Sequence, residues 1–267
     1  MSVITSRFRR KAGNPKSSAD AMTLVAHLEE LRRRLMWCAL ALVGAGIIVF
    51  ALYNRIFDLM VSPYCDLVRH TKGFGVQGGT RIVRQCSLVT LSPLEGFSVR
   101  LRVAGYGGVV LASPVLLYHL WRFITPGLHK NEKRYAVPFV AASVLLFVSG
   151  CAVAVLTIPE ALKFLVAVGG NHVTPLYAPG PYIHLVTLMM LAFGISFEFP
   201  VLLVFLELVG ILSSSRLRKT RRIAAVSIVA AAAVLTPSQD PISLFMMAIP
   251  LYVFYEAAIV IGRLLKK

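Results

Sequence analysis

The chain has 267 residues, 57% of them hydrophobic and only 15% charged, with a mean hydropathy of +0.74; a soluble domain of this size carries about 25% charged residues, so a water-soluble globular protein is excluded. The formal net charge is +16 and the pI about 10.2, a balance that points to nucleic acid in a soluble chain. Here the basic residues stand in short segments beside apolar runs, which points instead to membrane topology and anionic headgroups, and no nucleic-acid partner is expected.

Residues 1–21 hold Arg7, Arg9, Arg10, Lys11 and Lys16 but no apolar run. They are expected to form a disordered basic tail and not a secretory signal. The next segment is His27-Leu28-Glu29-Glu30-Leu31-Arg32-Arg33-Arg34-Leu35. Leu24, Leu28, Leu31 and Leu35 recur at helical spacing, which reads as an amphipathic helix on the cytosolic surface. Glu29 and Glu30 either pair with Arg32 to Arg34 or form a cation site at the mouth of the first span.

Six apolar segments follow, at about 36–54, 100–121, 136–158, 185–209, 223–236 and 243–261. About 20 apolar residues in a helix cross a hydrocarbon core about 30 Å thick, and lipid offers backbone groups no partners. Residues 22–262 therefore read as one all-α membrane domain of six transmembrane helices, ending in a basic tail at 263–267. The fifth helix, Ala-rich and about 20 Å long by its 14 or so residues, is too short to cross unaided, and the fifth and sixth are expected to be the short helices of the set. Pro114, Pro138, Pro200 and Pro250 lie within or at the ends of spans and favour bends. Bent helices of unequal length imply a concave, cup-like body.

The first loop carries Cys65 and Cys86, separated by 20 residues with Gly73, Gly75, Gly78 and Gly79 among them. On an oxidising face a disulfide is expected, stabilising the loop by roughly 3 kcal/mol in the entropy account. Cys38 and Cys151 fall within spans and read as small buried hydrophobes. Ser92-Pro93-Leu94-Glu95-Gly96-Phe97 introduces the second span, with Glu95 in reach of Arg100 or Arg102.

The second loop runs Phe123-Ile124-Thr125-Pro126-Gly127-Leu128-His129-Lys130-Asn131-Glu132-Lys133-Arg134. Pro126-Gly127 marks a turn, and Glu132 is the loop's one carboxylate. In the fourth span, Phe197-Glu198-Phe199-Pro200 places an ionisable group among apolar residues. That is costly in a membrane and marks either a functional group or a hydrogen bond to another span. Glu207, nearer Arg216 to Arg222, is expected at the interface. The turn Thr236-Pro237-Ser238-Gln239-Asp240-Pro241 joins the last two spans, and its residues, Asp240 included, read first as structural.

Six spans put both ends on one side. The N-terminal tail to Arg34 holds eight Lys and Arg, the loop 122–134 four, the loop 213–222 five and the tail from Arg263 three, twenty of the 28 in all. By the positive-inside rule that side is cytosolic. No H-E-x-x-H, G-x-S-x-G, P-loop or G-x-G-x-x-G motif is present, and the six histidines do not cluster at metal-ligand spacing, so neither catalysis, a cofactor nor a metal is expected. A proton-coupled carrier of a small solute, with Glu198 as relay, is the competing reading.

The segments H-L-E-E-L-R-x-R-L at 27–35, S-P-L-E-G-F at 92–97, F-x-x-P-G-L-x-x-x-E at 123–132, F-E-F-P at 197–200, T-P-x-x-D at 236–240 and A-I-P-L-Y-x-x-Y-E at 248–256, in this order, resemble the TatC family of the twin-arginine protein translocase. The resemblance implies a cup-like, six-span subunit that exports folded proteins carrying an Arg-Arg signal peptide in the cytoplasmic (inner) membrane. It implies TatA- and TatB-type single-span partners, oligomeric receptor complexes, the proton-motive force as energy source, and no nucleotide or metal. On this resemblance Glu30, Leu31, Arg32, Phe123, Pro126, Leu128 and Glu132 bind the signal peptide. Glu198 is the intramembrane carboxylate that meets partner helices, and Asp240 is the outer-loop acid.

Overall fold

The computed structural model describes residues 24–70, 88, 90, 92–124, 136–169 and 178–265. Among them the chain is helical throughout its ordered elements, α1 (Leu24–Ala51), α2 (Tyr53–His70), α3 (Glu95–Ile124), α4 (Ala136–Gly169), α5 (Pro179–Ser196), α6 (Phe199–Leu208), α7 (Ser214–Lys219), α8 (Arg221–Leu235) and α9 (Pro241–Leu265). Five helical stretches are long and apolar enough to cross a membrane: 28–51, 95–124, 137–169, 179–208 and 241–264. Their outward faces are apolar, as in Leu40, Ile47, Leu145 and Leu156, all more than half exposed. Such a surface is stable only against hydrocarbon.

The amphipathic segment and the first span form one uninterrupted helix, α1, where a separate surface helix was expected. It stops at Leu52, and α2 follows at once, strongly amphipathic, within what the sequence reads as an irregular outer loop. Ile56, Phe57, Met60, Val61 and Tyr64 recur at helical spacing and pack on the core, which is what makes that loop helical. The segment expected as the fifth span forms α8, with 15 residues, about 22 Å of helix, and stays below a full crossing as expected. The last helix, α9, has 25; the expectation that it too is short is corrected, because it starts at Pro241, capped by Asp240, and runs on through Arg263 to Leu265.

Two close helix contacts set the layout. Gly108 of α3 meets the backbone of Gly46 of α1, where an added Cβ would sit 3.1 Å from Gly46 Cα and N. Gly150 of α4 meets α5, where a Cβ would sit 2.6 Å from the Phe193 carbonyl oxygen. Small residues let backbones approach where no hydrophobic drive exists between helices in lipid. Where α1 ends, the Arg100 guanidinium lies over the Phe50 ring at 4.3 Å and donates to the Phe50 carbonyl at 3.2 Å, tying α3 to α1. The Tyr182 hydroxyl donates to the Met60 carbonyl at 2.8 Å, tying α5 to α2.

The fourth span is broken. α5 ends at Ser196, and α6 starts at Phe199 after two intervening residues, with Pro200 in its first turn. Proline has no N–H, so the i→i−4 ladder lapses there; the Glu198 amide bonds instead to the Ile195 carbonyl at 3.1 Å, a tightened i→i−3 turn. Glu198 sits at that break. α6 closes on Gly210, whose φ of +84° suits glycine alone without strain.

Candidate functional site

At the basic end of the bundle the first residues of α1 and the last of α3 lie together. The register Gly46 to Gly108 and Phe50 to Arg100 runs antiparallel, and the Arg34 charge acts on His119. Carried to the helix ends, that register brings Glu30 level with Phe123. Glu30 accepts hydrogen bonds from Nε (3.0 Å) and Nη2 of Arg34, one turn on. Leu31 is 40% exposed, Arg32 is exposed and Phe123 half-buried. Nearby, Arg122 stacks on Tyr118 with its guanidinium carbon 5.6 Å from the ring centre. Four of the seven residues assigned to signal-peptide binding, Glu30, Leu31, Arg32 and Phe123, thus lie at the same end of the α1–α3 pair. Pro126, Leu128 and Glu132 lie outside the described residues.

The second site is buried. The indole Nε1 of Trp121 (α3) donates to the Ser143 hydroxyl (α4) at 2.6 Å, and Ser143 lies beside the Glu198 carboxyl. The second carboxyl oxygen, Oε1, is buried without a partner among the described residues. Trp121 is fixed on its other sides by Phe139 at 5.4 Å and Phe205 at 5.3 Å between ring centres. Three spans thus meet in a chain of polar groups inside an apolar shell. Glu198 was legible as exceptional; Trp121 and Ser143 were not singled out. The available signal was that a buried indole N–H needs an acceptor.

Glu207, near the end of α6, is enclosed by protein: it is 1% exposed, and neither carboxyl oxygen has a partner among the described residues. It faces Gly262 of α9, where an added Cβ would sit 2.0 Å from Glu207 Oε2. The arginines expected to draw it outward sit on α7 and α8, and Arg221 instead pairs with Glu256 at 2.5 Å.

On the opposite end, Glu95 Oε1 accepts the Gly180 amide at 2.9 Å, joining the starts of α3 and α5. Asp240 is buried, and its Oδ1 accepts the Ser243 amide at 2.7 Å. With Pro241 in the first helical position, Asp240 is the N-cap of α9. Cys65 is disulfide-bonded, while Cys38 and Cys151 are free thiols; Cys86 lies outside the described residues. Among the described residues no group of three or more His, Cys, Asp and Glu is placed to hold a metal ion.

Residues 26–250 match the profile of the family described as Sec-independent protein translocase protein (TatC). A Sec-independent protein translocase protein TatC of Frankia casuarinae is 41% identical over 91% of this chain and 66% of its own length, so the chain spans just under two thirds of that relative. A protein of the same description from Aquifex aeolicus is 35% identical over 91% of this chain and 95% of its own. A crystal structure of the twin-arginine translocase receptor TatC superposes with a TM-score of 0.71 at 33% identity, covering 88% of this chain and 99% of that one.

Proposed function

The chain belongs to the TatC family of Sec-independent protein translocase proteins, and from that membership we propose that it is the core receptor subunit of a twin-arginine translocase in the inner membrane. It binds Arg-Arg signal peptides at its cytosolic face and nucleates assembly with TatA- and TatB-type single-span subunits. Folded cargo is then exported using the proton-motive force. The observation that carries this reading is the meeting of α1 and α3 at the basic end, with Glu30 level with Phe123. By the positive-inside rule that end is cytosolic, with six spans and both termini on that side.

The chemistry follows from the acids. A carboxylate accepts a planar guanidinium through two parallel bonds, which an ammonium cannot match. Glu30, with Glu132 of the following loop, can each take one arginine of the leader, while Leu31, Phe123, Pro126 and Leu128 supply apolar contact. Arg32 completes the binding set; the other arginines around it repel a cationic ligand at long range, so selectivity comes from short-range geometry. Glu198, at the break in span four, is the polar contact for a partner helix within a cup-like body. Glu95 and Asp240 brace the outer face, and Cys65 pairs with Cys86. The carrier reading of Glu198 has no comparable support in the family.

The test is site-specific photo-crosslinking of an Arg-Arg signal peptide to membranes containing the full chain. Loss of the adduct in Glu30→Ala and Glu132→Ala at unchanged protein level supports the assignment; full labelling of both variants refutes it.

A further inference from the structure

Between α4, α6 and α9 lies a groove of about 370 Å³ whose lining side chains are all apolar, among them Phe139, Leu146, Pro200, Val204, Phe254 and Ile261. It extends along α4 from Pro138 to Leu146, about 12 Å of helix. That is close to the depth of one leaflet of a hydrocarbon core about 30 Å thick. An acyl chain reaching from its headgroup toward the bilayer midplane matches that length.

The two ends of the groove differ in charge. At the end lined by Pro138 and Ile261, α9 carries exposed Arg263. At the other end, lined by Leu146 and Phe254, α4 has no charged residue from 136 to 159 and α9 none from 241 to 255. The one carboxylate of α9, Glu256, is held by Arg221 of α8 and does not line the groove. An amphiphile with an anionic head at the basic end and one tail along the slot satisfies both features.

We propose that this groove seats one acyl chain of an anionic phospholipid from the leaflet that holds the basic helix ends, with its phosphate at Arg263. The bound chain fills the gap between spans three, four and six, alongside the break at Pro200.

The test reconstitutes the full chain in phosphatidylcholine vesicles doped with phosphatidylglycerol carrying a diazirine in one acyl chain, and maps adducts by mass spectrometry. Adducts concentrated on the α4, α6 and α9 lining are expected. They should fall at least about five-fold in Arg263→Gln, at roughly 1 kcal/mol per basic residue near the surface, and at least as far in Ala257→Phe, which fills the slot from an exposed position. Adducts spread over Leu145, Leu156 and other exposed apolar residues in proportion to exposure overturn the proposal. Equal labelling by the matching phosphatidylcholine probe overturns it too, as does Ala257→Cys cross-linking two copies of the chain through the groove. Arg263→Gln keeps the test decisive if Ala257→Phe misfolds.

Discussion

The indole N–H of Trp121 donates to the Ser143 hydroxyl at 2.6 Å, and that hydroxyl lies beside the Glu198 carboxyl of the fourth span. Ser143 is wholly buried. In hydrocarbon no water replaces a lost partner, so the serine is the acceptor on which the indole N–H depends.

Ser143→Ala therefore removes the acceptor of a buried indole N–H, a loss of about 1–3 kcal/mol. Thermal unfolding in detergent should move to lower temperature. The chain has two tryptophans, Trp37 and Trp121, so in a Trp37→Phe background the emission of Trp121 reports the bond directly. A shift to shorter wavelength in Ser143→Ala is expected; unchanged emission means that the indole is bonded elsewhere.

Arg34 competes with an incoming guanidinium for Glu30. A part-exposed pair of this kind is worth about 0.2–1 kcal/mol, so Arg34→Gln should tighten binding of an Arg-Arg peptide by at most about five-fold. Glu30→Gln, which keeps the shape but removes the charge, should weaken it. Peptide binding measured by fluorescence anisotropy checks both. Weaker binding in Arg34→Gln shows that Arg34 contacts the leader and does not compete for its acceptor.

The bonded state of Cys65, with Cys38 and Cys151 free, leads to an expected count. Alkylation of the denatured, non-reduced protein should modify two of the four cysteines, and digestion should release a peptide joining Cys65 to Cys86. Reduction should lower stability by roughly 3 kcal/mol for a loop of this size. Four modified cysteines before reduction rule the bridge out.

The spans were legible because hydrophobic length in a bilayer is a one-dimensional property, and Glu198 stood out because charge in such a run is conspicuous. What escaped depends on the third dimension. α2 was hidden by Arg55, Asp58 and Pro63, polar or helix-breaking residues that lie among Ile56, Phe57, Met60 and Tyr64, which pack on the core. The fate of Glu207 is decided by Gly262, 55 positions away, whose missing side chain opens the space the carboxyl fills. Asp240 is a different case. Its D-P-I-S setting carries an N-cap signature, readable in advance but outweighed by its place in a turn.

Because Asp240 caps α9 through the Ser243 amide, Asp240→Ala should cost about 0.5–2 kcal/mol and Asp240→Asn much less. Export of an Arg-Arg reporter separates this role from a chemical one. Recovery of both stability and export by asparagine marks a cap; recovery of stability alone marks a negative charge needed on the outer face.

Glu207 gives the sharpest expectation for stability. A buried carboxyl with both oxygens unpartnered carries a desolvation cost that no contact among the described residues offsets. Methionine has similar length, keeps the contact with Gly262, and has no strong hydrogen-bonding need. Removing a buried unsatisfied polar group recovers about 1–3 kcal/mol, so Glu207→Met should unfold at a higher temperature than the parent chain. Gly262→Ala should do the opposite, since its Cβ would lie 2.0 Å from Glu207 Oε2, and the double variant should recover part of that loss because a flexible thioether can yield where a carboxyl on the same stem cannot do so without further desolvation. A Glu207→Met protein less stable than the parent shows that the carboxyl has a partner in the membrane-embedded protein, and the basic residues at the ends of α7 and α9 are then the first to substitute.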